Sequence, residues 1–312
     1  MAHTVLKVTD QTLKQMKEFY QQYSTGSLPP GAVFAAKKPS CSITGYRSGK
    51  VLFQGKEAMT EAARWQGGTA VSSPAKKAKP KTASLPEGFA SMSVIGSDEV
   101  GTGDFFGPIT VASAYVKREQ MDELRQLGVR DSKNLNDQQI ASLAKQLIKI
   151  IPYSLLILKN EKYNELQQSG MSQGKIKALL HNQALIKLHE KILPEKPEAV
   201  LIDQFAEKTT YYRYLKEQKN IFKENVYFST KGESVHLSVA AASIIARYAF
   251  VKEFDKLSTE AGFKIPKGAG SQVDAAGARL IIEKGEDALR QFTKMHFANT
   301  DKAMKLVKKY QG

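Results

Sequence analysis

Apolar positions recur at helical spacing between Thr9 and Tyr23, where Leu13, Met16, Phe19 and Tyr20 share one side and Thr9 and Asp10 can cap the first turn. Two short apolar stretches follow, Ala32 to Ala36 and Cys41 to Tyr46. A turn at Arg47-Ser48-Gly49-Lys50 leads into a third, Val51 to Gln54, and the pattern returns to helical from Lys56 to Trp65. A helix, a small antiparallel sheet and a second helix are expected, an α+β unit with Lys37, Lys38, Arg47 and Lys50 near its strand ends.

Further along, Met92 to Gly96, Thr110 to Val116 and Tyr153 to Leu158 read as strands. The first two are joined by a glycine-rich connection that suggests antiparallel pairing. The helical stretch Asn182 to Ile192 precedes a strand at Ala199 to Ile202, and Thr210 to Glu217 precedes another at Val226 to Phe228. This βα alternation predicts parallel pairing, so the whole is expected to be a mixed sheet flanked by helices. Between the two patterns, residues 69–91 carry Pro74, Pro80, Pro86 and a cluster of lysines with few large apolar side chains, the composition of a linker. The expected organisation is a small domain over 1–68, a flexible linker over 69–91 and a large domain over 92–312.

Composition adds a partner class. The 46 Lys and Arg outnumber the 31 Asp and Glu, for a net charge of +15, which favours a densely anionic partner such as nucleic acid. The first 91 residues hold 13 basic against 5 acidic groups, so charge density is higher in the small part. No apolar run approaches the roughly 20 residues that span a bilayer, and the first residues lack a secretory signal's apolar segment. With Cys41 the only cysteine, neither an intramolecular disulfide nor a cysteine-cluster zinc site can form, and a cytoplasmic location is expected. No two of the five histidines stand at i, i+4 spacing, so any metal is expected on oxygen ligands.

The segment Gly96-Ser97-Asp98-Glu99-Val100-Gly101-Thr102-Gly103 ends an apolar strand in two adjacent acids. Neighbouring side chains on a strand point to opposite faces, so both can address one ion only if the chain bends, and Gly101, Gly103 and Gly107 supply such freedom. Taken alone, such a pair more often only solubilises a loop. Asp203 stands directly after the strand Val200-Leu201-Ile202, and Glu233 follows the strand ending near Ser229, so four carboxylates are expected to reach one sheet edge. Hard divalent ions take such oxygen ligands together with substrate phosphate. Two of them about 3.5–4 Å apart can activate a water and stabilise a leaving oxygen. The glycines miss the G-x-G-x-x-G spacing, and no phosphate-binding G-x-x-x-x-G-K-[ST] occurs.

Asp98-Glu99-Val100-Gly101-Thr102-Gly103 through Gly107-Pro108 resembles the D-E-x-G-x-G opening motif of the type 2 and type 3 ribonucleases H. Asp131-Ser132-Lys133-Asn134-Leu135 is similar to the family's D-S-K-x-L element, Val200-Leu201-Ile202-Asp203 to its third-acid strand, and Val239 to Arg247 to its A-A-A-S-I-x-A helix. The resemblance covers about residues 92 to 300 in matching order. It implies a ribonuclease H-like fold, Asp98, Glu99, Asp203 and Glu233 as catalytic and metal-ligating residues, and Mg²⁺ or Mn²⁺ as cofactor, two ions during catalysis. The implied activity is cleavage of the RNA strand of RNA/DNA hybrids, leaving 5′-phosphate and 3′-hydroxyl ends. Thr102 stands where type 2 enzymes usually carry arginine, and Glu233 where they commonly carry aspartate; both departures point to type 3 and away from efficient incision at a single ribonucleotide in DNA.

The small domain, from Ala32-Val33-Phe34 through Gly45-Tyr46-Arg47 to Ala62-Ala63, resembles a TATA-box-binding-protein half-repeat. Such a domain precedes the catalytic part in type 3 enzymes and implies nucleic-acid contacts at Lys38, Ser42, Thr44, Tyr46, Arg47 and Lys50. In the large domain, backbone at Gly101, Thr102 and Gly103 is expected to sense the 2′-hydroxyl that separates RNA from DNA. Ser132, Lys133, Ser243 and Arg247 are the other expected substrate contacts. Ser243 and Arg247 share a helix face, which equally suits packing on the sheet. The rival readings are a type 2 enzyme acting at single ribonucleotides, and a non-catalytic nucleic-acid-binding protein whose carboxylates are incidental. No obligatory protein partner is expected.

Overall fold

The structure is a computed structural model that describes residues 3–26, 28–29, 31–65, 85–130 and 132–311. The chain divides into two compact units, Met1–Thr82 and Ala83–Gly312. The expected linker over 69–84 and Asp131 of the D-S-K-x-L element lie outside the described residues.

In the first unit, four antiparallel strands in the order β1-β4-β3-β2 form one sheet: β1 His3–Lys7, β2 Ala32–Lys38, β3 Cys41–Tyr46 and β4 Lys50–Gln54. The helices are α1 Asp10–Phe19 and α2 Ala58–Ala63. Thr9 caps α1 by accepting from the Thr12 amide, and Leu13 and Met16 put the apolar side of the helix into the core with Ile43, Phe53 and Ala62. Strand β1 was not foreseen, because its five residues are too few to show alternation and sit on a sheet edge, paired only with β4. The core also encloses the Glu61 carboxylate, which accepts from Tyr20 Oη at 2.9 Å and Lys38 Nζ at 2.7 Å, while Trp65 Nε1 donates to Tyr20 Oη. Those partners make its burial tolerable.

The second unit is built on a five-stranded sheet of order β7-β6-β5-β8-β9: β5 Val94–Val100, β6 Ile109–Val116, β7 Tyr153–Leu158, β8 Ala199–Asp203 and β9 Val226–Ser229. β5, β6 and β7 pair antiparallel, and β8 and β9 continue from β5 in parallel, as the sequence pattern predicts. Its helices are α3 Met121–Gln126, α4 Asp137–Ile150, α5 Asn160–Gln168, α6 Gln173–Ile192, α7 Lys208–Leu215, α8 Leu237–Ala261, α9 Ser271–Lys284, α10 Ala288–Phe292 and α11 Asn299–Gln311. The stretch expected to be linker up to residue 91 is packed at its end: Phe89 is buried with Val94, Leu201 and Val239, so this unit's core begins before the expected boundary. Among the described residues, no helix is long and apolar enough to cross a membrane.

The strand β5 is central, and its alternation distributes its side chains. Ile95 packs with Ala178 and Leu185 of α6, whereas Val94 packs with Val239 of α8. Between them, Gly96 lets α8 start directly on the strand: a Cβ there would lie 2.2 Å from the Val239 amide nitrogen and 2.3 Å from the Ser238 carbonyl carbon. The small side chains of Ala240, Ala241 and Ala242 then keep the helix close to the sheet, fully buried. Because those obstacles are backbone, Gly96→Ala is expected to cost about 3 kcal/mol or more of unfolding free energy, as overpacking without room to relax does. An unchanged urea midpoint in chemical denaturation would show that α8 does not rest there.

Candidate active site

The bend expected at Asp98 and Glu99 does not occur there. Both acids remain in the β5–β6 ladder, Asp98 opposite Ala112 and Glu99 opposite Val111, and the break falls at Gly101, whose φ is +95°. A side chain at Gly101 would also meet the Pro108 carbonyl at 2.2 Å, so this turn needs glycine twice over. Strand alternation therefore sends the two carboxylates to different helices.

Glu99 turns toward α6. Lys177 Nζ donates to Oε1 at 2.8 Å, and His181 Nε2 lies 2.9 Å from Oε2. The other ring nitrogen of His181 is 2.7 Å from Ser97 Oγ, whose own hydrogen goes to the Ala112 carbonyl. Both ring nitrogens of His181 thus have a polar partner. Phe205 stacks on the His181 ring with centroids 5.2 Å apart and lies 4.2 Å from the Lys177 ammonium, shielding the cluster. Burial alone would raise the Glu99 carboxyl, but the hydrogen bonds and charges of His181 and Lys177 outweigh it and hold the group at about 2.

Asp98 turns toward α8 and is 8% exposed. It accepts from the Glu99 amide at 2.7 Å and from the Ser243 hydroxyl. Burial first, then the negative charges of Glu99 and Asp203, push its carboxyl up to about 8. Asp203, at the end of β8, accepts from the Gly232 amide at 2.7 Å, which brings the turn carrying Glu233 beside it. Glu233 is buried; Lys133 Nζ donates to it at 2.6 Å and Ser132 Oγ at 3.4 Å. Ser132 and Ser243 hydroxyls lie 2.8 Å apart, so a continuous polar chain runs from Glu233 through Ser132 and Ser243 to Asp98.

All four expected acids therefore belong to one neighbourhood. Among the described residues, however, no three Asp, Glu, His or Cys side chains stand together as a ready metal cage. An open set of hard oxygen donors fits a divalent ion that keeps waters and takes substrate phosphate. The buried Asp98, raised by two carboxylates, fits a cation too, because a positive charge beside it would favour its ionised form.

The expected substrate contacts separate into two groups. Ser132 and Ser243 are buried, and Arg247 spends its guanidinium on the Ser132 carbonyl and, at 2.8 Å, on Asp137 Oδ1. These three hold the Ser132–Lys133 turn in place, with the two serines buried and the Arg247 side chain 25% exposed. Lys133 keeps a side chain that is 74% exposed, and Gly103 is exposed with open space around its α-carbon. Thr102 is half-buried and its carbonyl accepts from Gln173 Nε2 at 3.1 Å.

In the first unit, Ser42, Thr44 and Tyr46 alternate with the buried Cys41, Ile43 and Gly45, so they occupy the sheet face away from the core. Arg47 and Lys50 are exposed beside them. Lys38 differs: its ammonium is taken by Glu61, which removes it from that exposed set.

Lys177 and His181 were missed from sequence. They stand four apart on α6, the spacing that puts two side chains on one helix face. The apolar pattern, though, predicts a helix only over Asn182 to Ile192. Ser172 in fact caps α6, accepting from the Lys175 amide, so the helix starts earlier.

Comparison with known proteins agrees with this geometry. The family model described as Ribonuclease HII matches residues 95–300, and one for a domain of unknown function matches residues 3–79. The chain is 62% identical to Ribonuclease HIII of Bacillus velezensis, over 99% of each protein, and 58% identical to Ribonuclease HIII of Bacillus subtilis, over 99% of each. It superposes with a TM-score of 0.71 on the crystal structure of Bst-RNase HIII in complex with Mn²⁺, at 47% identity over 99% of this chain and 100% of that one. With the acids on β5 and β8 and the buried α8 in matching order, the chain belongs to the ribonuclease HII family, in its ribonuclease HIII branch.

Proposed function

We propose that the second unit hydrolyses the RNA strand of RNA/DNA hybrids with Mg²⁺ or Mn²⁺, two ions during catalysis, leaving 5′-phosphate and 3′-hydroxyl ends. The observation that carries this is Asp98, a buried carboxylate crowded by two others and followed by a loop that is open at Gly103. Asp98, Glu99, Asp203 and Glu233 would hold the metal. When bound, divalent ions polarise the phosphoryl oxygen and generate a strong nucleophile from water.

The chain's own residues prepare that site. His181 and Lys177 hold the Glu99 carboxyl well below the usual carboxylate range, and Ser243 donates to Asp98. Lys133 is exposed next to Glu233, placed to exchange part of its ion pair for a phosphate. Gly103 offers its backbone without a side chain in the way, which supports the loop 101–103 as the sensor of the 2′-hydroxyl. The open sheet face of the first unit, with Ser42, Thr44, Tyr46, Arg47 and Lys50, supports a nucleic-acid-holding role for that unit.

Cleavage of a labelled RNA/DNA hybrid in Mn²⁺ tests the reading directly. Asp98→Asn is expected to lower the rate on the order of 10³-fold, equivalent to several kcal/mol of metal-derived stabilisation. Cleavage by both proteins at equal rates would remove Asp98 from the site. His181→Gln is expected to weaken Mn²⁺ binding or cleavage by roughly 10- to 100-fold, the usual effect of losing a group that orients a metal ligand. Calorimetric Mn²⁺ affinity and turnover both at the wild-type level would contradict that role. Gly103→Val, which meets no protein atom near its Cβ, should leave the melting temperature unchanged while lowering hybrid kcat/KM by roughly tenfold or more. Full cleavage by that variant would move the sugar sensor elsewhere.

A further inference from the structure

The loop that follows the acid pair has a firm base and a lightly held tip. At the base, Lys294 is wholly buried, and its Nζ donates to the carbonyls of Asp104, at 2.8 Å, and Gly107. Its amide donates to the Phe105 carbonyl at 2.8 Å, the Gly107 amide donates to Phe292 at 3.0 Å, and Phe106 bridges to Thr293. From another side, the Phe105 amide donates to Gly268 at 2.9 Å, and the Gly268 amide donates to Asp104 Oδ1 at 2.6 Å. The tip has less. Among the described residues, Gly101–Gly103 is held by the Gln173 bond to Thr102 and a 3.4 Å contact from the Asp104 amide to the Gly101 carbonyl. Gly101 is buried beside the Pro108 carbonyl, so the shape of Thr102–Gly103 depends on Gly101 on one side and on residues 104–107 on the other.

We propose that Lys294 is a positioning residue for hybrid cleavage, fixing through the Asp104 and Gly107 carbonyls the shape in which Gly101–Gly103 meets the ribose. This rests on the reading of that loop as the sugar sensor. The clamp is chemically specific. Two carbonyls converge on one point inside the core, and an apolar side chain of the same length would leave both without a donor. Burial pushes the Lys294 ammonium down to about 7, against the smaller opposing effect of Asp104. The clamp outlasts that titration, because the neutral amine still carries two N–H groups for two acceptors. Nothing in the acid cluster touches Lys294, so its loss is expected to leave metal binding intact.

The test uses the full chain with Lys294→Met, a near-isostere without donors, and Lys294→Gln, a shorter donor. Steady-state cleavage of the hybrid, Mn²⁺ titration and amide exchange over residues 101–107 are measured on each folded variant. Lys294→Met is expected to bind Mn²⁺ within about twofold of wild type while kcat falls roughly 10- to 100-fold, as misplacement by about 1 Å does, with KM changing less. Its Thr102 and Gly103 amides should exchange faster, and Lys294→Gln should fall between it and wild type. A folded Lys294→Met with kcat within about twofold of wild type overturns the proposal. If Lys294→Met does not fold, the same limit applied to Lys294→Gln decides. A fall in Gly103→Val without one in the Lys294 variants would reject Lys294 alone; no fall in Gly103→Val would reject the loop reading and this role with it.

Discussion

Adjacent side chains on a β-strand must leave it on opposite faces, and the candidate site is organised around that constraint at Asp98 and Glu99. The ladder with β6 runs through both residues, so no bend brings them together. Each acid is consequently furnished by a different helix. α6 supplies a lysine and a histidine to Glu99, and α8 supplies one hydroxyl to Asp98. The outcome is electrical asymmetry between neighbours, one carboxyl held at about 2 and the other raised to about 8. Paired acids with diverging environments are a recurring basis for metal and acid–base chemistry.

Supporting contacts around this pair explain why so many residues of the family motifs are buried. The A-A-A-S-I-x-A helix lies against β5 because Gly96 leaves room for it and its alanines add little bulk. That closeness puts Ser243 within reach of Asp98 and Ser132, and Arg247, one turn on, fixes the Ser132 carbonyl. Gly103 and the Lys133 side chain face outward, and recognition of the sugar and phosphate is proposed to involve them.

The first unit follows a different economy. Its sheet is covered by helices on one face, and the other carries short polar side chains, an aromatic ring and flanking cations. A face of that kind can lie along a nucleic-acid backbone without needing deep pockets. The buried Glu61 cluster draws Lys38 inward and so trims the positive charge available there.

The order and type of most elements were legible in the sequence, because helical and strand periodicities are local and survive without tertiary context. β3 and β7 fall on the expected residues, and the mixed pairing of the second sheet follows from where βα alternation begins. The acids too were legible, since an apolar strand ending in a carboxylate recurs at Asp98 and Asp203. The pattern did not name the edge strand β1, the start of α6, or the helices α3, α4, α5, α9 and α10. The partners of each acid were invisible as well. Glu99 meets Lys177 and His181 across 78 and 82 positions, and Lys294 reaches Asp104 across 190. Sequence alone determined which residues could carry the chemistry; packing of α6, α8 and the 292–294 segment decided which are charged, which are buried and which face outward, because charge pairing and desolvation depend on distances that no local pattern encodes.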